Sequence, residues 1–141
     1  MSGAAETADP AIEAQIAAAF DVMQRAYAPY SGFRVGAVVR ASDGTEYAGC
    51  NVENSAFPAG TCAERGALSA AVAAGRRQFT TLVVATEAMV PTPPCGICRQ
   101  ALVEFSGDLS VVSVTTGGAR ARWALSELLP APFTPASLTH T

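Results

Sequence analysis

Two short segments carry the residues best suited to chemistry, Thr61-Cys62-Ala63-Glu64-Arg65 and Pro94-Cys95-Gly96-Ile97-Cys98-Arg99-Gln100. Each opens a predicted helix. Cys95 and Cys98 are three apart, so in a first helical turn they share a face and can reach one ion at the roughly 2.3 Å of a zinc–thiolate bond. Cys62, at the start of the other helix, supplies a third sulfur. Helix N-termini present unpaired N–H groups and the positive end of the macrodipole, which favour thiolate over thiol. Three protein ligands leave a fourth position for water, the pattern of a catalytic zinc rather than a closed structural one. Glu64 follows a ligand by two residues and is placed to take a proton from that water. Three thiolates leave the site negative, and Arg65 can hydrogen-bond the sulfurs and draw off part of the charge. Arg99 follows a ligand in the same way.

Plainer roles stand beside these. Cys95-x-x-Cys98 is also the spacing of a redox pair or of two buried thiols. Thr61-x-x-Glu64 is a helix capping box, in which the glutamate satisfies a backbone N–H. Arg65 also fits a solvated helix face. Cys50 raises the alternative of a closed site with all four cysteines on the metal. Period-2 alternation puts Ala48, Cys50 and Val52 on one side of a strand, an apolar set expected in the core, with Asn51 and Glu53 on the other. Cys50 is therefore expected to be a small buried hydrophobe. Asn51 and Glu53 project together from a strand end, where an amide and a carboxylate can grip vicinal hydroxyls, although turn polarity explains the pair equally well.

Composition limits what surrounds these residues. The 141 residues are 50% hydrophobic and 15% charged, which fits one domain with a real core and argues against disorder. Nine basic residues, all arginine, stand against twelve acidic ones, a formal charge of −3. They are scattered from Arg25 to Arg122, without the basic excess of a nucleic-acid groove, so no polynucleotide partner is expected. The single histidine, His140, is next to the last residue, a poor position for a ligand or a base. Neither a secretory signal pattern nor a run of membrane-spanning length is visible, so no membrane partner and a cytoplasmic location are expected. Thiols stay reduced there, which turns cysteine pairs toward metal or redox chemistry rather than disulfides.

A single alternating run of helices and strands must position the site. Residues 1–9 read as a loose tail, 10–135 as one zinc-dependent domain and 136–141 as a second tail. Ile12, Ile16, Phe20, Met23 and Tyr27 recur at helical spacing and predict a first helix ending near Ala28-Pro29. Strands are predicted over 33–39 and 45–52, joined by Ser42-Asp43-Gly44 as a hairpin turn. A second helix is predicted over 61–74, with Gly75 as its C-terminal cap. A β-branched strand buried on both faces follows over 81–86, then a third helix over 96–105, strands over 109–115 and 120–123, and a closing helix over 125–129. The pattern predicts a mixed sheet with helices on its faces.

Tyr27-Ala-Pro-Tyr-Ser-Gly-Phe-Arg-Val-Gly36, Asn51-Val-Glu-Asn54, Cys62-Ala-Glu-Arg65, Pro94-Cys-Gly-Ile-Cys-Arg-Gln100 and Leu128-Leu-Pro130 with Phe133 together resemble the small, homotetrameric, three-cysteine cytidine deaminases. The resemblance covers most of residues 11–133. It implies a three-layer α/β/α fold with a five-stranded mixed sheet, and a homotetramer whose sites are completed by neighbouring subunits. It also implies one zinc per subunit on Cys62, Cys95 and Cys98, with Glu64 as proton shuttle. By the same resemblance Phe33 lies near the nucleoside base, and Asn51, Val52 and Glu53 form the ribose motif. Ala63 contacts the pyrimidine carbonyl through its backbone, and Arg65 bonds the thiolates. Ser55, Phe57 and Phe133 reach a neighbour's site; many members carry tyrosine where this chain has Phe57. The implied reaction is hydrolysis of cytidine and deoxycytidine to the uridines and ammonia. Alternatives are the same chemistry on a related nucleoside such as blasticidin S, and a zinc-stabilised interaction module without turnover.

Overall fold

The computed structural model describes residues 9–140; the predicted N-terminal tail, apart from Asp9, lies outside them. Asp9 caps helix α1 (Pro10–Met23) by accepting the Ala11 N–H at 3.0 Å, and Pro10 occupies the first turn, where its missing N–H is no loss. Tyr27, the last member of the predicted stripe, lies beyond this helix. Its N–H donates to the Asn51 carbonyl (2.9 Å) and its carbonyl accepts from Glu53 (2.8 Å). This pairing with a distant segment draws the chain into extended form, and the helix ends four residues earlier than the stripe suggests.

Five strands form one mixed sheet: β1 (Val35–Ala41), β2 (Glu46–Cys50), β3 (Phe79–Thr86), β4 (Ser110–Thr115) and β5 (Arg120–Ala124), in the order β2-β1-β3-β4-β5. β3 and β4 run parallel and the other neighbours antiparallel. The β1–β2 turn forms as its sequence predicts, with Gly44 at φ +92° and the Asp43 carboxylate accepting from Thr45 N–H (3.0 Å) and Oγ1 (2.7 Å). β3 takes the central place its β-branched run requires and is buried along its length except at Thr80.

α1 covers one face, where Ile12, Ile16, Ala19 and Met23 pack on Val38, Val83 and Val114. Helices α2 (Ala63–Ala73), α3 (Gly96–Val103) and α4 (Leu125–Leu128) belong to the other face, where Ala67, Leu102 and Leu125 join Val39, Leu82 and Val111. The three-layer α/β/α architecture is thus present. Gly75 has φ +90° just past α2, the left-handed cap position. Two short 3₁₀ turns, Phe57–Ala59 and Pro135–Leu138, have no counterpart in the predicted elements. Among the described residues no helix is long and apolar enough to cross a membrane.

β2 corrects one expectation. Ala48 is exposed, Val52 is 49% exposed and Cys50 is only half-buried, so this apolar set is not core. Tyr47 and Gly49 take the covered face instead: Tyr47 packs on the core, and a Cβ on Gly49 would stand 2.3 Å from Ala67 N and 2.6 Å from Ala63 O of α2. The better-covered face of an edge strand is here marked by a glycine, which hydrophobic alternation does not register.

Candidate active site

α2 and α3 lie side by side with their first turns at one end of the sheet, where β3 ends at Thr86 and β1 begins at Val35. Cys62 is the N-cap residue of α2 and Cys95 that of α3, while Cys98 lies one turn into α3 and is fully buried. The local sequence explains this: Pro93-Pro94 keeps the chain extended up to Cys95, and helix begins at the glycine that follows. The three sulfurs lie within 4.8 Å of one another, and those of Cys62 and Cys95 are 3.9 Å apart. A tetrahedral zinc with roughly 2.3 Å arms needs sulfurs about 3.8 Å apart, so the cluster fits the ion. Cys50 is not in it, which excludes the closed four-cysteine site.

The neighbouring Cys98 side chain and, with it, the Arg65 guanidinium hold Cys62 well below the usual thiol range, at about 5. The Cys62 sulfur beside it, together with burial, pushes Cys98 up. Arg65 Nη2 lies 3.8 Å from Cys62 Sγ, so its guanidinium serves the sulfurs rather than a solvated face. Arg99 does not: its Nε and Nη1 donate to the carbonyls of Pro94 (2.7 Å) and Leu128 (2.8 Å).

Glu64 lies in the first turn of α2 with 6% of its surface exposed, and it lines a cleft of about 250 Å³ together with Cys62 and Cys95. Burial pushes its carboxyl up to about 7, the Cys62 thiolate adds to this, and its own backbone N–H and Arg65 partly oppose it. The capping box is absent: Thr61 N–H is spent on the Val52 carbonyl (2.9 Å), and Cys62 rather than Thr61 is the cap residue.

Phe33, Asn51, Glu53 and Ala63 line the same cleft. Asn51 and Glu53 have a further task that their spacing does not reveal. Asn51 Oδ1 accepts from Val35 N–H (2.9 Å) and Nδ2 donates to the Phe33 carbonyl (2.8 Å). Glu53 Oε1 accepts from the N–H groups of Tyr30 (2.9 Å) and Ser31 (3.1 Å), and Oε2 accepts from the Ser31 hydroxyl. These bonds hold the Glu53 carboxyl below the usual carboxylate range, the Ser31 hydroxyl contributing most. The pair therefore fixes the loop that presents Phe33, and Glu53 Oε2 and Asn51 Oδ1, each accepting one bond, keep acceptor capacity for a ligand.

Val52 lies outside this cleft, in a hollow shared with Phe57, Thr61 and Arg65. Phe57 is 75% exposed and meets Tyr30 edge-on at 6.0 Å; Ser55 and Phe133 are also exposed. Ser31, Thr86 and Thr92 line the cleft as well and were not among the expected site residues. Ser31 had a signal, its place two residues before Phe33; Thr86 and Thr92 are brought in only by the sheet end and the Pro-rich loop.

The sequence model for the zinc-binding region of cytidine and deoxycytidylate deaminases matches residues 10–115, a span that contains all three clustered cysteines and Glu64. The chain belongs to this family. The cytidine deaminase of Sporosarcina psychrophila is 41% identical over 130 residues, 92% of this chain and 96% of that protein. That of Halalkalibacterium halodurans is 39% identical over 117 residues, 82% and 89% of the two chains. Among solved structures, the cytidine deaminase of Burkholderia pseudomallei superposes with a TM-score of 0.83 at 42% identity, covering 86% of this chain and 98% of that one. The Mycobacterium leprae cytidine deaminase gives 0.75 at 32% identity, covering 87% and 100%. A deaminase of this family is an enzyme with a resident zinc, and the cluster of sulfurs fits that ion.

Proposed function

We propose that the chain hydrolyses cytidine and deoxycytidine to uridine and deoxyuridine with release of ammonia, serving pyrimidine salvage in the cytoplasm, and that it works as a homotetramer. One observation carries the reading: Glu64 shares a single cleft with Cys62 and Cys95 on one hand and with Phe33, Asn51 and Glu53 on the other. Metal ligands, a buried carboxylate and a polar pair suited to a sugar are what this hydrolysis needs in one place.

Cys62, Cys95 and Cys98 would hold the zinc, which would supply a Lewis acid that makes water more acidic. Glu64 takes a proton from the attacking water as its oxygen bonds to the ring carbon bearing the amine, and delivers that proton to the adjacent ring nitrogen. It then moves the remaining hydroxyl proton to the amine, which leaves as ammonia as the ring carbonyl forms. One carboxylate thus serves as base and as acid, and its burial keeps bulk water from competing for the proton. The Ala63 backbone orients the pyrimidine carbonyl, Phe33 flanks the base, and Asn51 and Glu53 hold the ribose on its 3′-hydroxyl side, with Val52 between them in the motif but outside the cleft. Arg65 draws charge from the sulfurs.

Exposed apolar side chains support the assembly. Tyr30, Phe57, Met89, Val90, Ile97 and Phe133 are all more than half exposed, a burden for a monomer and ordinary for a subunit contact. In that assembly Ser55, Phe57 and Phe133 complete a neighbour's site. The ultraviolet absorbance of cytidine, deoxycytidine and blasticidin S with purified protein tests the reaction. Loss of the cytidine and deoxycytidine bands is expected; turnover of blasticidin S alone, or of no substrate, overturns the reading. Light scattering tests the assembly, with four chain masses expected and one or two excluding it.

A further inference from the structure

Arg99 and Gln100 follow the last of the clustered cysteines, and neither is among the residues lining the cleft. Their side chains go to main-chain carbonyls of two other segments. Arg99 Nε donates to Pro94 O at 2.7 Å, and Nη1 to Leu128 O at 2.8 Å. Gln100 Nε2 donates to Phe133 O at 2.8 Å. Pro94 immediately precedes Cys95, and the Arg99 backbone N–H also donates to Cys95 O at 2.9 Å. Arg99 thus closes the turn from Pro94 to Cys98 with both main chain and side chain. Leu128 ends a helix of one turn, whose last carbonyls have no partner within the helix, and the guanidinium supplies one. The fork spans two carbonyls from separate segments at once, which a point-charge ammonium does less well.

We propose that Arg99 is a positioning residue for the metal centre. Through Pro94 it fixes the turn that presents Cys95 and Cys98, and through Leu128 it braces that turn against the C-terminal segment, whose far end Gln100 holds at Phe133. The segment after α4 is then part of the scaffold of the metal site rather than an appendage to it. The proposal rests on the reading that Cys62, Cys95 and Cys98 hold zinc.

Competition between the zinc-loaded full chain and a chromophoric chelator tests it, alongside the ligand-field spectrum of the cobalt-substituted protein. Arg99→Ala is expected to weaken zinc retention by about 10–100-fold and to alter the cobalt bands, with the far-ultraviolet helical signal kept. Arg99→Lys is expected to lose less, and Gln100→Ala least, since both Arg99 bonds survive. An Arg99→Ala protein with wild-type zinc retention and cobalt spectrum overturns the proposal, as does zinc loss that only tracks loss of helical signal. Should Arg99→Ala not fold, Arg99→Lys decides, and native retention and spectrum in that variant overturn it. A wild-type chain that takes up no zinc instead refutes the underlying reading before any variant is compared.

Discussion

Glu64 combines burial with a place in the first turn of α2, beside the thiolate of Cys62. A carboxylate with no capping duty has no evident structural task in that position. Glu64→Ala is therefore expected to bind one zinc per chain and to fold, while turnover falls by at least about 10²–10⁴-fold; metal analysis and initial rates on cytidine check both halves. Ser31 has the opposite character, a small hydroxyl whose effect is relayed. It donates to Glu53 and accepts from Phe33 N–H at 3.0 Å. Because Glu53 has a folded pKa below its unfolded value, the stabilisation it gives the loop is present above the unfolded value and is lost as pH falls through the folded one. A carbon-13 NMR titration of the Glu53 carboxyl should show a midpoint below the usual carboxylate range, moving upward in Ser31→Ala.

At the level of elements, the contact between β2 and α2 sets where Cys62 and Glu64 stand. Gly49 makes it possible, since any Cβ there would stand 2.3 Å from Ala67 N and 2.8 Å from Gly66 C. Backbone cannot rotate away as a flexible side chain can. Gly49→Ala is expected to destabilise the chain by about 3 kcal/mol or more, the upper end for overpacking, and to loosen zinc by shifting the start of α2. Thermal melting with chelator competition measures both. Native melting and native zinc retention together would show that α2 has slack at this contact. Gly36 occupies the equivalent place under α1, where a Cβ would stand 2.1 Å from Ala19 O.

Across the whole molecule, a fork between Arg120 and Glu13, at 2.7 and 3.0 Å, ties the first helix to the last strand. The Arg120 hydrogen bond holds the Glu13 carboxyl below its ordinary value, so this link stabilises above the unfolded pKa and fades as pH falls through the folded one. Both groups are partly solvated and the effect is screened by salt. Urea midpoints of Glu13→Gln and wild type should differ modestly at neutral pH and converge in acid, and 1 M salt should shrink the neutral difference, the Debye length then being about 3 Å. A difference that grows in acid would contradict the assignment. Arg34 with Glu87 ties the Phe33 loop to the end of β3 in the same manner.

Spacing along the chain marked out the three cysteines that cluster, the carboxylate beside them, the Asp-Gly hairpin and the central strand. Residues three apart in a first helical turn meet whatever else the chain does, and an unbroken β-branched run belongs in the middle of a sheet. What only the tertiary structure decided is which non-local group each side chain finds. Thr61 gives its N–H to Val52 and so cannot form a capping box; Tyr27 leaves its helical stripe to pair with residues 51–53. Cys50 falls on the poorly covered face of an edge strand because α2 seats over Gly49. Arg65, three residues after Cys62, and Arg99, next to Cys98, both follow a clustered cysteine, yet one meets a sulfur and the other two carbonyls. Local geometry fixes where a side chain starts, and the partner is set by whichever distant segment the fold brings within about 3 Å of it.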